Sequence, residues 1–250
     1  MKIKKILVSQ PEPADIEKSP YGELVKRFNL HVEFRKFFRI EGIPAKEFRQ
    51  DRINLLDYTA VIFTSRNAVD HYFRIAKEMR VDIPDSMKYF CVSESTAYYL
   101  QKYIQFRKRK IFHSKESFDH LTELIKKHKA EKFLLPCSDI HKMEIPKILD
   151  ELKIAYKKAI IYKTLASDLS DIAIDNFDML VFYSPAGIRS LFKNFPDFTQ
   201  DSCHIGVFGP STAKAALEAG LKLSIQAPTC TAPSMTMAIE QYLANEGKKK

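Results

Sequence analysis

The fold is decided by the segment Val61-Ile-Phe-Thr-Ser-Arg-Asn-Ala-Val-Asp-His-Tyr-Phe73. Its first residues form a short apolar run that is typical of a buried strand. The apolar residues that follow recur at the spacing of one helix face: Val69, Tyr72, Phe73 and Ala76. Between the two parts stands Ser65, a residue type that caps the first turn of a helix. The segment therefore predicts a strand, a turn with a hydroxyl group and a helix.

The same order occurs again in the second half of the chain. Its counterpart is Leu180-Val-Phe-Tyr-Ser-Pro-Ala-Gly-Ile-Arg-Ser-Leu-Phe192, where Ser184 takes the place of Ser65. Further along each half, Ser93-Glu-Ser-Thr-Ala97 aligns with Gly209-Pro-Ser-Thr-Ala213. An internal repeat of this kind indicates two structural units of similar architecture. We therefore expect two similar lobes that face each other across a cleft.

Short apolar runs alternate with helix-period segments over nearly the whole chain, which predicts an α/β fold with parallel sheets flanked by helices. Two segments, Leu30–Ile43 and Ala155–Leu165, instead have the pattern of extended chain. They bracket the middle of the sequence. We therefore expect one lobe, residues 37–158, to be inserted into an outer lobe of residues 1–36 and 159–250. The two extended segments would form a two-stranded linker between the lobes.

The composition is that of an ordinary folded protein, with 45% hydrophobic and 28% charged residues in a chain of 250. A chain of this length buries a large core without disulfides or a structural metal. The formal net charge is +9, and residues 36–160 hold most of the excess, with 25 Lys and Arg against 17 Asp and Glu. Such asymmetry suggests a polyanionic partner, although a solvated basic face would have the same composition.

Several protein classes are disfavoured by the sequence. No run of about 18 apolar residues is present, so we expect no membrane span. The short apolar run at the N-terminus lacks the length and cleavage site of a signal peptide, which predicts a cytoplasmic protein. The four cysteines are far apart and form no Cys-x-x-Cys pair, which suits a reducing compartment and predicts no zinc site: Cys91, Cys137, Cys203 and Cys230.

Familiar catalytic and nucleotide-binding motifs are also missing. The chain has no Gly-x-Gly-x-x-Gly, no Walker loop, no Gly-x-Ser-x-Gly and no His-Glu-x-x-His. The basic run Arg107-Lys-Arg-Lys110 offers contacts for nucleic acid, but no aromatic residue interrupts it and no nucleic-acid-binding motif accompanies it. A solvated turn before a strand is the better interpretation, and we expect no nucleic-acid partner.

Hydroxyl groups recur where strands pass into helices. In a parallel α/β sheet these turns lie at the carboxyl ends of the strands, where ligands bind. The free backbone N–H groups and the dipole of a helix start attract anions there. The sequence therefore predicts sites for carboxylates or phosphates in both lobes. The alternative is that each hydroxyl only caps its helix. The residues concerned are Ser65, Ser95, Thr96, Ser184, Ser211 and Thr212.

Together, these motifs resemble the uroporphyrinogen-III synthase family. The resemblance is carried by Phe63-Thr-Ser-Arg-Asn-Ala-Val69, Tyr162-Lys-Thr164, Phe182-Tyr-Ser-Pro-Ala-Gly187 and Gly209-Pro-Ser-Thr-Ala213 followed by Gly220-Leu. It covers essentially the whole chain through an ordered set of short motifs. The chain departs from the family pattern at Gln10, where the family has an arginine after its first strand, and at Ser93, where the family has a glycine.

The resemblance implies a hydro-lyase of tetrapyrrole and haem biosynthesis. Its substrate would be hydroxymethylbilane, a linear tetrapyrrole with eight carboxylates, which is closed to uroporphyrinogen III with inversion of the last ring and loss of water. Such an enzyme uses no metal or organic cofactor and would act as a monomer. The alternative is a two-lobed anion-binding or regulatory module without catalysis.

The resemblance also implies roles for individual residues. Tyr162, on the returning linker, would give a proton to the departing hydroxyl of the substrate, or it is an aromatic residue that only packs the linker against a lobe. The remaining residues implied at the site would bind the substrate: Ser9, Gln10, Thr64, Ser65, Asn67, Ser95, Thr96, Ser184, Ala186, Gly209, Ser211 and Thr212.

Overall fold

A computed structural model of the chain describes residues 3–105, 107, 109–114, 118–140 and 144–248. The strands are, in chain order, β1 (Lys5–Val8), β2 (His31–Phe34), β3 (Phe38–Gly42), β4 (Ala60–Phe63), β5 (Lys88–Cys91), β6 (Ile111–His113), β7 (Phe133–Ser138), β8 (Tyr156–Ala166), β9 (Met179–Phe182), β10 (His204–Phe208) and β11 (Leu223–Ala227). The helices are α1 (Pro20–Phe28), α2 (Ala45–Phe48), α3 (Arg66–Met79), α4 (Glu94–Tyr99), α5 (Phe118–Lys127), α6 (Glu144–Glu151), α7 (Pro185–Asn194), α8 (Pro210–Glu218) and α9 (Met235–Lys248).

Two compact units share these elements. The outer unit combines Met1–Arg39 with Leu165–Lys250, and the inserted unit is Ile40–Thr164. The outer unit contains a parallel sheet in the order β11-β10-β9-β1-β2. The inserted unit contains a sheet in the order β3-β8-β7-β4-β5-β6, in which the pairs from β8 to β6 are parallel. The prediction of an α/β fold with parallel sheets is confirmed.

Both boundaries between the units lie later in the sequence than the predicted boundaries at 36/37 and 158/159. The chain passes from the outer to the inserted unit at 39/40 and returns at 164/165. The difference has a simple cause: β8 pairs with β7 from Tyr156 as far as Tyr162, so this stretch is part of the inserted sheet. The segment expected to be a linker is therefore largely a sheet strand.

Consecutive apolar residues in the central strands serve both faces of each sheet. In β1, Ile6 and Val8 pack in one core cluster while Leu7 packs in the cluster on the opposite face. In β4, Val61 and Phe63 face one cluster, and Ala60 and Ile62 face the other. All four β4 side chains are inaccessible to solvent. Burial on both faces explains why these strands are continuous apolar runs rather than alternating ones.

Arg74, on α3, ties this helix to both segments that enter and leave the inserted unit. Its Nη2 donates to the backbone carbonyls of Ile43, at 2.9 Å, and of Ile161, at 3.0 Å. Its Nη1 donates to Glu78 Oε1 at 2.6 Å. A Cβ at Gly42 would lie 2.8 Å from the guanidinium group. Glycine at the end of β3 therefore leaves the space that Arg74 occupies.

Asp70 links α3 to the turn that follows α4. Its carboxylate accepts hydrogen bonds from Tyr99 Oη, at 2.9 Å, from Lys102 Nζ, at 3.0 Å, and from Tyr103 Oη. Burial raises the pKa of Asp70, but the hydrogen bonds from Tyr103, Lys102 and Tyr99 outweigh it and lower the pKa below the ordinary 3.8. A carboxylate with a lowered folded-state pKa stabilises the fold above its ordinary pKa, and this contribution is lost as the pH falls through the folded-state value.

We expect Asp70→Asn to lower the free energy of unfolding by about 1 kcal/mol at pH 7, because a charged acceptor of three hydrogen bonds is lost from a partly exposed site. Urea unfolding over a pH series measures this difference. The difference in free energy of unfolding between the native chain and the variant should become smaller as the pH falls below the ordinary pKa of 3.8. The control is Asp82→Asn, at an exposed aspartate, which should leave the free energy of unfolding nearly unchanged. A loss of stability in Asp70→Asn that persists unchanged in acid contradicts the account.

Candidate active site

The strand-to-helix turns at the carboxyl edges of both sheets place hydroxyl groups at helix starts. Ser65, after β4, accepts a hydrogen bond from the N–H of Ala68 at 3.2 Å, and Ser93, after β5, accepts from the N–H of Thr96 at 3.2 Å. In the outer unit, Ser184 after β9 accepts from the N–H of Gly187 at 3.4 Å. Each of these serines has extended backbone and caps the following helix.

Four of the expected hydroxyls do not cap a helix. Ser95 and Thr96 lie inside the first turn of α4, and Ser211 and Thr212 lie inside the first turn of α8. The cap residues at these two places are Ser93 and Gly209. Strands β5 and β10 end so early that the helices already begin before the hydroxyl-bearing residues. Thr96 and Thr212 are buried, at 4% and 1% exposure, whereas Ser95 and Ser211 are exposed.

The start of α8 differs from the other three. Gly209 has φ 86° and ψ 150°, a backbone conformation that other residues rarely adopt. It provides no side-chain hydrogen bond to the first turn. Pro210 has no N–H group, so the first N–H donors of this helix are those of Ser211 and Thr212. An anion at this point would meet backbone N–H groups that no side chain already occupies.

Ser9 and Ala186 lie at the same edge of the outer sheet. Ser9 follows β1, is buried and donates its N–H to the carbonyl of Val181 at 2.9 Å. A Cβ at Gly187 would lie 3.3 Å from Ser9 Oγ and 3.1 Å from Phe182 Cδ1. The first turn of α7, which contains Ala186, therefore packs directly on the end of β1. Gln10 follows with its N–H bonded to the carbonyl of Val8 at 2.8 Å, and it is partly exposed.

The inserted unit groups its hydroxyls around two helix starts. Ser93 Oγ lies 3.1 Å from Ser95 Oγ and 3.0 Å from Thr96 Oγ1, so three hydroxyls share hydrogen bonds at the start of α4. At the start of α3, Thr64 is partly buried beside Ser65. Asn67 is exposed on the first turn of that helix. The hydroxyl and amide groups of these side chains offer hydrogen-bond donors to a carboxylate.

Tyr162 is a buried residue of β8 rather than a linker residue. It pairs in register with Ser138 of β7 and is 7% exposed. Its Oη lies 3.4 Å from Ser65 Oγ, and its ring stacks on the imidazole of His71 with centroids 5.0 Å apart. Burial raises the pKa of Tyr162 above its ordinary 10.0, and the Ser65 hydroxyl offsets this only in part. The structure thus brings Tyr162 and Ser65 together, and it places Tyr162 in a sheet strand rather than on a linker.

Two polar residues at this edge, Ser138 and Asp139, were not expected from the sequence. Asp139 Oδ1 accepts hydrogen bonds from Ser138 Oγ, at 2.7 Å, and from the N–H of Thr164, at 3.0 Å. Burial raises the pKa of Asp139, but the hydrogen bonds from Ser138, Thr164 and Ile140 lower it overall. Ser138 and Asp139 stand at the end of a buried strand, so the rule that identified Ser65 and Ser184 would also have found them.

The basic run lies at the other edge of the inserted sheet. Arg107 and Lys110 precede β6, at the amino ends of its parallel strands, and Lys108 is outside the described residues. Arg107 forms an ion pair with Asp85 at 3.0 Å, and Lys110 Nζ donates to the carbonyl of Asp85. The run is therefore separated from the hydroxyl-bearing turns by the length of the strands.

Metal-binding groups and membrane-spanning helices are both missing from the part of the chain that the structure describes. No three His, Cys, Asp or Glu side chains there are grouped as a metal ion would require. None of the helices described there has the length and apolar character needed to cross a bilayer.

Fold and site together define a protein of two α/β units, each built on a sheet of mainly parallel strands, in which the helix starts carry polar groups suited to anions. The family model described as uroporphyrinogen-III synthase HemD matches residues 23–237. The chain belongs to the uroporphyrinogen-III synthase family. No curated protein sequence is significantly similar to it.

Solved structures of two synthases share the fold. A mutant uroporphyrinogen III synthase of the extremely thermophilic bacterium Thermus thermophilus is 15% identical with a TM-score of 0.61, over 97% of this chain and 99% of that one. Uroporphyrinogen-III synthetase of Helicobacter pylori is 17% identical with a TM-score of 0.60, over 97% of this chain and 100% of that one. At these identities the likeness concerns the fold.

We expect Ser184→Ala to lower the free energy of unfolding by about 1 kcal/mol, and Ser184→Gly by only a few tenths, because glycine tolerates a cap position and alanine does not. Ser211→Ala is the matched control, since Ser211 is exposed in a first turn but caps nothing. Urea unfolding of the three variants measures the effects. Equal losses for Ser184→Ala and Ser211→Ala would show that the assignment of caps is wrong.

Proposed function

We propose that this chain is a uroporphyrinogen-III synthase, a lyase of tetrapyrrole and haem biosynthesis that acts on hydroxymethylbilane. The proposal is supported by the family match over residues 23–237. The observation that carries it is the recurrence of polar helix starts at the carboxyl edges of both sheets, at Ser65, Ser93, Ser184 and Gly209. A substrate with eight carboxylates needs many sites of moderate strength, and this arrangement supplies them.

The carboxylates would be bound mainly by backbone N–H groups and hydroxyls. A helix start attracts an anion through its free N–H donors and the positive end of its dipole. The α8 start of the outer unit has no side-chain cap, so its N–H groups are free for such a contact. In the inserted unit, the Ser93–Ser95–Thr96 hydroxyls can turn their protons toward a carboxylate. The other proposed contacts are Ser9, Gln10, Thr64, Asn67, Ala186, Ser211 and Thr212.

The reaction needs little strong acid or base chemistry from the protein. With a proton taken up from water, the terminal hydroxyl departs as water and leaves an azafulvene cation. The electron-rich last pyrrole ring attacks this cation to form a spiro intermediate, which reopens and closes with the last ring inverted and releases a proton. The competing outcome is direct ring closure without inversion. Holding a flexible substrate in the geometry that leads to the spiro intermediate selects between them, and positioning of this kind contributes large rate factors.

Tyr162 would assist the departure of the hydroxyl. Its raised pKa keeps the phenol protonated at neutral pH. A protonated phenol donates a hydrogen bond to the leaving oxygen, whereas full proton transfer from such a weak acid is unfavourable. Ser65, at 3.4 Å, can accept the phenol proton only weakly. The proposed role requires the hydroxyl to exchange this weak contact for one with a substrate oxygen.

We also propose that the protein acts as a monomer in the cytoplasm, without nucleic acid. The four cysteines are unpaired, as a reducing compartment would keep them. Arg107 is engaged by Asp85 at the opposite edge of the inserted sheet, which does not favour a phosphate-binding surface there.

The experiment that tests the function supplies freshly generated hydroxymethylbilane to the purified chain and resolves the oxidised products by isomer. We expect the type III isomer in excess over a control without protein, at a rate proportional to protein concentration. Type I product alone, at the rate of the control, contradicts the proposal. Saturable binding of the product-like uroporphyrin together with that result would instead favour the module without catalysis.

We expect Tyr162→Phe to lower kcat about tenfold to a hundredfold, because the hydrogen bond to the leaving oxygen is lost while the substrate still loses its hydroxyl readily. The type III isomer should remain detectable, and Tm should barely change because the ring is kept. Tyr156→Phe is the matched control, because it removes a hydroxyl from the first residue of the same strand. Native turnover in Tyr162→Phe would make the residue a packing group only, and a large fall in Tm would make its hydroxyl structural.

A further inference from the structure

Tyr162 is oriented less by hydrogen bonding than by the side chain stacked against it. Its hydrogen-bond contact with Ser65 Oγ is 3.4 Å long, near the limit for such a bond. The ring of His71 lies against its face, with centroids 5.0 Å apart and an angle of 21° between the planes. A stacked ring restricts rotation of the phenol about its side-chain bonds. The direction of the Tyr162 hydroxyl therefore depends on where the imidazole is held.

His71 is itself held by a defined contact. Its Nδ1 accepts a hydrogen bond from Arg74 Nε at 3.1 Å. An accepting Nδ1 carries no proton, so the neutral ring has its proton on Nε2. Burial and the Arg74 guanidinium lower the pKa of His71 below its ordinary 6.5, although Asp70 and Glu78 oppose them. The ring is thus a neutral aromatic group that stacks on Tyr162 without adding a charge.

Arg74 in turn cannot shift freely. The carbonyls of Ile43 and Ile161 accept from Nη2, and Glu78 accepts from Nη1. Ile161 is the residue before Tyr162 in β8, so one guanidinium group fixes both the backbone beside the phenol and the imidazole that stacks on its ring. Arg74 therefore restrains Tyr162 in two ways, through the backbone of Ile161 and through the ring of His71.

We propose that His71 is a positioning residue that holds the Tyr162 ring so that its hydroxyl meets the leaving oxygen of the substrate. The inference rests on the proposed function and deepens it, because it assigns a supporting role to a side chain that is not itself a candidate for substrate contact. His71 need not touch the substrate. Its contribution is made through Tyr162, so it should vanish when Tyr162 no longer has a hydroxyl to direct.

The test is a double-mutant cycle with four forms: the native chain, His71→Ala, Tyr162→Phe and the double variant. We expect His71→Ala to lower kcat roughly threefold to tenfold, the size of one aromatic contact, with KM nearly unchanged. In the Tyr162→Phe background the same change should have almost no effect. His71→Phe, which keeps a ring against Tyr162 but cannot accept from Arg74, should recover only part of the lost turnover.

The matched control is His128→Ala. His128 is another partly buried histidine of the inserted unit, with its ring 4.6 Å from that of Phe112, which packs against the core cluster on the other face of the sheet. It should leave kcat unchanged while costing about as much in Tm as His71→Ala. Equal falls in kcat for the two alanine variants would overturn the proposal, because the effect would then follow from lost packing alone.

The cycle also separates this inference from the proposed role of Tyr162. If Tyr162→Phe slows turnover and His71→Ala reduces kcat by the same factor in both backgrounds, His71 acts independently and the inference is wrong while the role of Tyr162 stands. If Tyr162→Phe has native turnover, the role of Tyr162 is wrong and the inference falls with it. If neither the native chain nor any variant forms type III product above the control, the proposed function itself fails.

Discussion

The architecture of the inserted unit depends on one guanidinium group. Arg74 donates to the carbonyls of Ile43 and Ile161 at 2.9 and 3.0 Å, and its guanidinium group occupies the space beside Gly42, where a Cβ would lie 2.8 Å from it. These carbonyls belong to the two segments by which the chain enters and leaves the unit. A planar group with several donors in fixed directions suits this task, whereas a lysine would satisfy fewer acceptors.

The helix starts reach a common polar character by different chemistry. Ser65, Ser93 and Ser184 satisfy one N–H group of the following helix with a hydroxyl, which stabilises the fold and leaves other donors for a ligand. Gly209 has no side chain that could cap α8, so the first turn of this helix lacks that stabilisation. The outer unit thus combines one capped and one uncapped start, and the inserted unit has a serine cap at both places. Ser93 at the start of α4 is the residue responsible for this difference.

Much of the fold is predictable from the sequence because buried parallel strands must be apolar on both faces. Ala60–Phe63 and Met179–Phe182 could be recognised for that reason, and the turns after them followed. The cap at α4 could not be chosen from the sequence, since Ser93, Ser95 and Thr96 are all suitable and the end of β5 decides among them. Extended sequence patterns do not distinguish a linker from a sheet strand, which is why Tyr162 was expected on a linker. The stack of His71 on Tyr162 joins residues far apart in the chain, and no spacing rule reveals it.

The central claim is that helix starts in both units bind the carboxylates of the substrate, and amide NMR of the isotope-labelled chain tests it most directly. Titration with uroporphyrin should shift the N–H signals of the uncapped first-turn residues, Asn67 and Ser95 in the inserted unit and Ala186 and Thr212 in the outer unit. Signals beside Asp85, at the opposite edge of the inserted sheet, should stay in place. Shifts confined to that opposite edge, or saturable binding that leaves the four helix-start signals unmoved, would contradict the account.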